Sequence, residues 1–331
     1  MIRNLTILCL GLLGMLACSK PSSEDTQKTN AAKKEKTRLK VMAYNLWHGG
    51  DAGKQPLEKT MEVIQKAGAE IVGISEPDGF NPNAGEEQYQ NRPDNSKIIA
   101  EKWGWHHFRQ KGGASIISKY KIVEELPNQT GVKIELPNGK HVYFFNAHFI
   151  HIPYQPYQLA EIKYGDYPYI KTEEEAIRWA NEARKGEVET ILTEMNKVAG
   201  ENAPMFMTGD FNEPSHLDWT EKAAEAGVVQ IKVEWPATKA FEGLGFVDAY
   251  RTIFPDEAKY PGDTWTPLST PEDEKNGEDV LDRIDFVLVK GEQVKVLDTK
   301  IVGEVSEYSD IKIENYPSDH RAVVSTVELT W

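Results

Sequence analysis

The chain has 331 residues, enough for one large layered domain or two smaller ones, with a sizeable core in either case. Its formal charge of −14 leaves no global basic field to draw in a polyanion, so duplex nucleic acid is disfavoured as a substrate. Cysteine occurs only at Cys9 and Cys18, which removes disulfides and thiolate chemistry from any mature domain beyond them.

The opening "MIRNLTILCLGLLGMLACSK" carries one Arg and then an apolar stretch from Leu5 to Ala17, too short to span a bilayer stably. It reads as a signal peptide over residues 1–17. Its end, "MLAC", resembles a bacterial lipobox, which implies a lipid on Cys18; Ser19 in place of Asp favours the outer membrane for such an exported lipoprotein. Residues 18–37 are polar, without aromatics or apolar periodicity, and form the expected flexible tether. No second linker and no internal repeat follows, so residues 38–331 are expected to be one domain, monomeric and held near a membrane.

"RLKVMAYNLW" is β-rich and stops near Asn45. In "QPLEKTMEVIQKAGAE", Leu57, Met61 and Ile64 recur at helical spacing and Gly68 supplies a stop. "IVGISEP" is a short apolar run ending at Glu76. "GASIISKYKIVEEL", "TGVKIEL" and "PNGKHVYFFNAHF" read as strands joined by turns, the last two through Pro137, Asn138 and Gly139. A long helix is expected from Thr172 to about Val198, with Ile177, Ala180, Arg184, Val188, Ile191, Leu192 and Met195 on one face. "PMFMTGDFN" is a buried strand that stops in polar residues, and "RIDFVLV" and "HRAVVSTVEL" are strands that begin in them. The class is mixed α/β with several antiparallel pairs.

Asn45, Glu76, His148 and Asp210 with Asn212 therefore stand at strand ends, and Asp285 and Asp319 with His320 at strand starts. In a mixed sheet the end of one strand lies beside the start of an antiparallel neighbour, so all of them can share one rim. Carboxylates gathered that way repel unless a cation joins them, and oxygen donors favour a hard divalent ion, Mg2+ first and Mn2+ as its substitute.

The motifs "YNLW", "ISEP", "NAH", "TGDFN", "RIDFVL" and "SDH" occur in the order found in the endonuclease/exonuclease/phosphatase superfamily, and the resemblance spans essentially all of residues 38–331. It implies a four-layer α/β sandwich: two mixed, mostly antiparallel sheets packed face to face and flanked by helices. It also implies metal-dependent hydrolysis of phosphate esters. Carried onto this chain, Glu76 is similar to the family's main metal ligand, with Asn45 beside it and Asp319 as a further acid. Asp210 resembles the carboxylate that orients or deprotonates the attacking water, and Asn212 the amide that holds phosphate or that water. His320, supported by Asp285, resembles the imidazole on the phosphate, and His148 with Asn146 the second one. Trp47 stands where the abasic-endonuclease branch commonly has an acid, and "NLW" is similar to the sphingomyelinase branch.

The stretch "FIHIPYQPYQLAEIKYGDYPYI" starts directly after His148 and brings Tyr154, Tyr157, Tyr164, Tyr167 and Tyr169 with three prolines. Tyr154 and Tyr157 are expected in an aromatic wall that binds substrate. "PGDTWTP" is a second rim loop, and Arg92, Arg109 and Lys111 are candidate phosphate grips. The function expected is an exported, tethered, Mg2+-dependent phosphoesterase. The alternatives are a secreted nuclease and a ligand-binding lipoprotein that keeps the fold without its chemistry.

Overall fold

The computed structural model describes residues 35–81, 83 and 87–331. The signal peptide, Cys18 and the tether up to residue 34 lie outside the described residues. Strand β1 (Lys36–Asn45) takes in Lys36 and Thr37, which composition assigns to the tether. After it come β2 (Ile71–Ser75), β3 (His106–Arg109), β4 (Ala114–Ser118), β5 (Lys121–Glu125), β6 (Gly131–Glu135) and β7 (His141–His148). The later strands are β8 (Met205–Asp210), β9 (Val247–Asp248), β10 (Asp285–Lys290), β11 (Val294–Gly303), β12 (Ile311–Lys312) and β13 (Ala322–Thr330). Helices used below are α1 (Leu57–Ala67), α2 (Asn95–Trp103), α3 (Gln155–Leu159), α4 (Glu173–Val198), α5 (Glu221–Glu225) and α6 (Pro236–Gly243).

A 7-stranded sheet runs β12-β11-β13-β1-β2-β4-β3 and a 6-stranded sheet β5-β6-β7-β8-β10-β9. Each is mixed and mostly antiparallel, with a central parallel pair: β1 with β2 in the first, β7 with β8 in the second. Side chains alternate across a strand, so each sheet sorts its residues onto two faces. The facing sides meet in one core that includes Val41, Ala43, Ile71, Ile116, Val142, Phe144, Phe206, Val287, Val289 and Val323. On the outer side of the first sheet, Met42, Val72, Ile74, Ile117 and Val324 pack on Val63 and Ile64 of α1 and Ile99 of α2. On the outer side of the second, Tyr143, Phe145, Met207, Phe286 and Leu288 pack on Val188, Ile191 and Met195 of α4 and Phe241 of α6. Helix, sheet, sheet, helix is the expected four-layer order.

Local chemistry sets the element ends. Thr172 caps α4 by accepting from the Glu175 N–H while Glu175 reaches back, and Glu173, Glu174 and Glu175 oppose the positive end of the helix dipole. The expected stop of α1 is met: Gly68 takes φ 66° and donates to Ile64 and Gln65. The apolar run 113–126 splits into β4 and β5, which belong to different sheets, with Lys119 and Tyr120 carrying the chain across the sandwich edge. At the end opposite Asn45, Lys36 pairs with Thr330 and the Trp331 N–H donates to the Glu35 carbonyl at 2.9 Å. Both ends of the described fold therefore meet at that pole.

Candidate active site

On the inward faces the apolar residues give way to polar ones toward one end: Val41, Ala43, then Asn45 on β1, and Phe144, Asn146, then His148 on β7. On β8 the order is Phe206, Thr208, Asp210, and on β10, read backwards, Val289, Val287, Asp285. The expected rim is the open end of the inter-sheet core.

One layer below the rim, Asn146 Nδ2 donates across the sandwich to the carbonyls of Ile74 (3.0 Å) and Ser115 (3.2 Å), and its Oδ1 accepts from Thr208 Oγ1 at 3.0 Å. Leaving such a buried amide unpaired costs about 1–3 kcal/mol, so these bonds rivet the sheets. The expectation that Asn146 binds substrate is thereby corrected: it faces inward like His148 but one step deeper, and both ends of its amide are committed. Gly73 lies against it, where a Cβ would come within 2.3 Å of Asn146 Oδ1.

Above that layer Asp210 is the hub. It is paired in register with His148 on one side and with Asp285 on the other. Its Oδ2 accepts from Asn45 Nδ2 of the opposite sheet at 2.9 Å, and its Oδ1 from the Asn212 N–H at 2.8 Å. His148 Nε2 and His320 Nε2 face the same Oδ2 at 3.8 and 3.7 Å. Gly209 before it has φ 138°, and a Cβ there would lie 2.0 Å from the Ala147 carbonyl oxygen, so only glycine lets β8 approach β7 at the tip.

His320 is clamped: Nδ1 lies 2.9 Å from Asp285 Oδ2, and Trp265 covers its ring with centroids 4.9 Å apart. Burial alone would lower its pKa, but Asp285 and Asp210 outweigh it and push it up to about 10. Thr264 Oγ1 receives the N–H groups of Ile284 and Asp285, and Ser318 ties the loop to β1 by accepting from the His320 N–H and donating to the Asn45 carbonyl.

Glu76 follows β2. Its Oε2 accepts from the His48 N–H at 3.0 Å, and its Oε1 lies 3.8 Å from His148 Nε2. Burial pushes its carboxyl up, but the charge of His148 and the His48 N–H prevail and hold it below the usual range. Asp319 is pushed up to about 7, first by burial and then by Glu76 and Asp210 against the opposing His320. Trp47, His48, Glu76 and Asn212 all take left-handed backbone, φ 55°, 52°, 51° and 47°. Each such residue stores on the order of 1–3 kcal/mol, the kind of strain that collects at functional sites.

The donors suit a hard cation at Glu76 and Asp319, two rim carboxylates lining the same pocket, with Asp319 buried close to the charges of Glu76 and Asp210. Asn45 departs from its expected metal role. Its oxygen accepts from the Trp47 N–H at 2.9 Å and its nitrogen turns to Glu76 and Asp210, so it orders two carboxylates instead of offering oxygen. Atoms of Asp210, Asp285 and His320 also lie within 4.8 Å of one another. Both ring nitrogens of His320 face carboxylates, however, so this group already pairs its charges internally.

Glu76, His148, Asp210, Asn212, Asp319 and His320 line a pocket of about 300 Å³. Its other wall is Trp47, His48, His151, Tyr154, Tyr157, Tyr164 and Trp265. Tyr154 and Tyr157 stand where an aromatic wall was expected, and "PGDTWTP" supplies Trp265. Tyr167 packs on Trp179 outside the pocket lining. Arg109 is spent on Asp78 through two 2.8 Å bonds, and Arg92 on the carbonyls of Asp78 and Gly79 and on His48 Nδ1. Neither they nor Lys111 lines the pocket, which corrects their expected grip on phosphate. Sequence reasoning missed His48 and His151 as lining residues. The nearest signals were "HGG" and the second His of "HFIH". A more open hollow of about 650 Å³, lined by His216, Thr238, Glu242 and Arg251 among others, contains none of the rim residues.

The wall is anchored from α4. Arg184, 1% exposed, donates to the Ile150 carbonyl (3.0 Å), Gln155 Oε1 (2.7 Å) and the Pro153 carbonyl (3.0 Å). Beside it Glu213, next to Asn212 and fully buried, accepts from the Ala237 N–H at 2.7 Å. Burial pushes Glu213 up to about 7 despite Arg184. The folded state then keeps a proton that the unfolded state releases, so this stability is present below the ordinary glutamate pKa and lost as pH rises through about 7. Urea titrations at pH 5 and pH 8 should show wild type losing ~3 kcal/mol more over that window than Glu213→Gln. Equal losses in the two proteins refute the assignment.

A model described as "Endonuclease/Exonuclease/phosphatase family" matches residues 42–320. The uncharacterized protein F14F9.5 of Caenorhabditis elegans is 27% identical over 301 residues, covering 86% of this chain and 90% of that one. Among solved structures, an endonuclease/exonuclease/phosphatase from Beutenbergia cavernae is similar at TM-score 0.52 and 16% identity, over 88% of this chain and 72% of the other. An AP endonuclease from Archaeoglobus fulgidus is similar at TM-score 0.50 and 16% identity, over 87% and 98%. Both structures share the fold.

Proposed function

Since the chain belongs to the endonuclease/exonuclease/phosphatase family, we propose that it is a metal-dependent hydrolase of phosphate esters, exported and tethered to a membrane through a lipid on Cys18. The observation that carries this reading is the convergence on Asp210 Oδ2 of Asn45 from one sheet and His148 and His320 beside it. Phosphoryl transfer to water needs an oriented nucleophile and donors aimed at the phosphate oxygens. Asp210, held by two N–H donors, accepts a hydrogen bond from the attacking water and takes its proton. His320, protonated between two carboxylates, donates to a phosphate oxygen from Nε2. Asn212 keeps one amide hydrogen on the Phe149 carbonyl at 3.0 Å and has the other for phosphate or water. His148 faces the same space from β7 and serves the leaving oxygen. A divalent ion held by Glu76 and Asp319, Mg2+ in this proposal, supplies neutralisation of phosphate charge when bound.

The nuclease alternative is weaker, because no lysine or arginine is among the described residues lining the pocket. A binding module has no need of the Asp285–His320–Asp210 chain. The test is hydrolysis of bis(p-nitrophenyl) phosphate: full activity with Mg2+, loss on adding EDTA, and recovery on adding Mg2+ or Mn2+. Turnover indifferent to EDTA, or none with any divalent ion on a panel of phosphate mono- and diesters, overturns the proposal.

A further inference from the structure

We propose that the wall opposite the phosphate-handling residues is a preformed ring subsite. The substrate is then a small ester carrying one phosphate and one planar ring, gripped by the ring's faces. This rests on the hydrolase reading above and adds to it the class of molecule cut.

The pocket volume, about 300 Å³, lies at the small end for ligand sites and holds one ring beside a phosphate, not a polymer segment. The hydroxyls of Tyr154 and Tyr157 and the indole N–H of Trp265 are already bonded within the protein, which leaves these side chains to offer the pocket their rings. Tyr154 donates its hydroxyl to Asp282 Oδ2 at 2.7 Å, and Asp282 is itself held by Trp219 Nε1 at 2.9 Å. Tyr157 donates to Asp279 Oδ1 at 2.5 Å and receives Trp265 Nε1 at 3.3 Å. Tyr157 meets Tyr154 and Tyr164 edge to face, with centroids 5.0 and 5.6 Å apart. With those three donors spent, Tyr154, Tyr157 and Trp265 recognise a ligand through stacking and shape, not through hydrogen bonds to ring edges.

The wall is also rigid before any ligand arrives. Arg184 holds its base, α3 carries Tyr157, and the Trp265 and Asp282 backbones bond each other at 2.9 and 2.8 Å. A preorganised wall spares the ordering cost of a mobile loop. Charge narrows the class further: the described lining has Glu76, Asp210 and Asp319 but no lysine or arginine, so beyond the imidazoles a second phosphate finds no counterion.

The experiment is calorimetric binding of inorganic phosphate, methyl phosphate and phenyl phosphate to the purified protein with Mg2+. Phenyl phosphate should bind about tenfold more tightly than methyl phosphate, the low end for one stacked ring. Tyr164→Ala and Tyr157→Ala should bring that ratio close to one, while Tyr157→Phe, which keeps the ring, preserves it. Tyr164 is 41% exposed, so its variant folds and decides the matter if Tyr157→Ala does not. Equal affinity for phenyl and methyl phosphate, or a preference that survives Tyr164→Ala, overturns the ring subsite alone. Failure of all three ligands to bind overturns the hydrolase reading with it.

Discussion

Replacing His320 by Asn is expected to lower kcat on bis(p-nitrophenyl) phosphate by about 10³-fold while moving KM far less. The size follows from position. His320 Nε2 lies 3.7 Å from Asp210 Oδ2, too long for a direct hydrogen bond, so its N–H is left for a phosphate oxygen bound beside Asp210. Its proton is secured by Asp285 at 2.9 Å, so the ring is a fixed donor throughout the neutral range. Removing a donor aimed at transition-state charge costs about 2.7–4 kcal/mol. Asp285 acts through His320 and touches no substrate. Asp285→Asn should therefore cost less, and the double variant should be no slower than His320→Asn alone. A double variant in which the two losses multiply contradicts the relay.

Glu76→Gln should be as damaging by a different route. The change is nearly isosteric and keeps an oxygen for the His48 N–H, but it removes the one rim carboxylate that its neighbours hold below the usual range. Loss of a ligand charge should raise the Mg2+ concentration for half-maximal activity by at least about tenfold and lower kcat/KM at fixed Mg2+ by about 10³-fold. A readout without turnover accompanies it: Mg2+ should raise Tm of the wild-type protein, and much less that of the variant, because binding to the folded state stabilises by mass action. An unchanged Mg2+ dependence in both measurements would place the ion elsewhere.

The rim was legible in the sequence because alternation forces it. Once "PMFMTGD", "HVYFFNAH" and "RIDFVLV" are strands, their terminal polar residues have nowhere to go but the end of the core. Helix α4 was legible down to Thr172 because its period is long and its cap is local. Roles that depend on distant partners were not. Asn45 and Asn146 look alike as amides at strand ends, yet one orders carboxylates and the other rivets sheets, according to depth. Nothing local to Tyr154 announces Asp282, and nothing near Glu213 announces Arg184. The short helix α2 was not foreseen, nor was β11, whose half-buried pattern gives little apolar signal.

The first strand has a further consequence. It covers ten residues, ~30 Å of extended chain, between the pole where Glu35 meets Trp331 and the rim at Asn45. Anything joined to the described fold at Glu35 or at Trp331, such as a purification tag or a surface linkage, is therefore attached at the pole away from the pocket mouth. Immobilising the protein by that pole leaves the rim at Asn45 clear of the support.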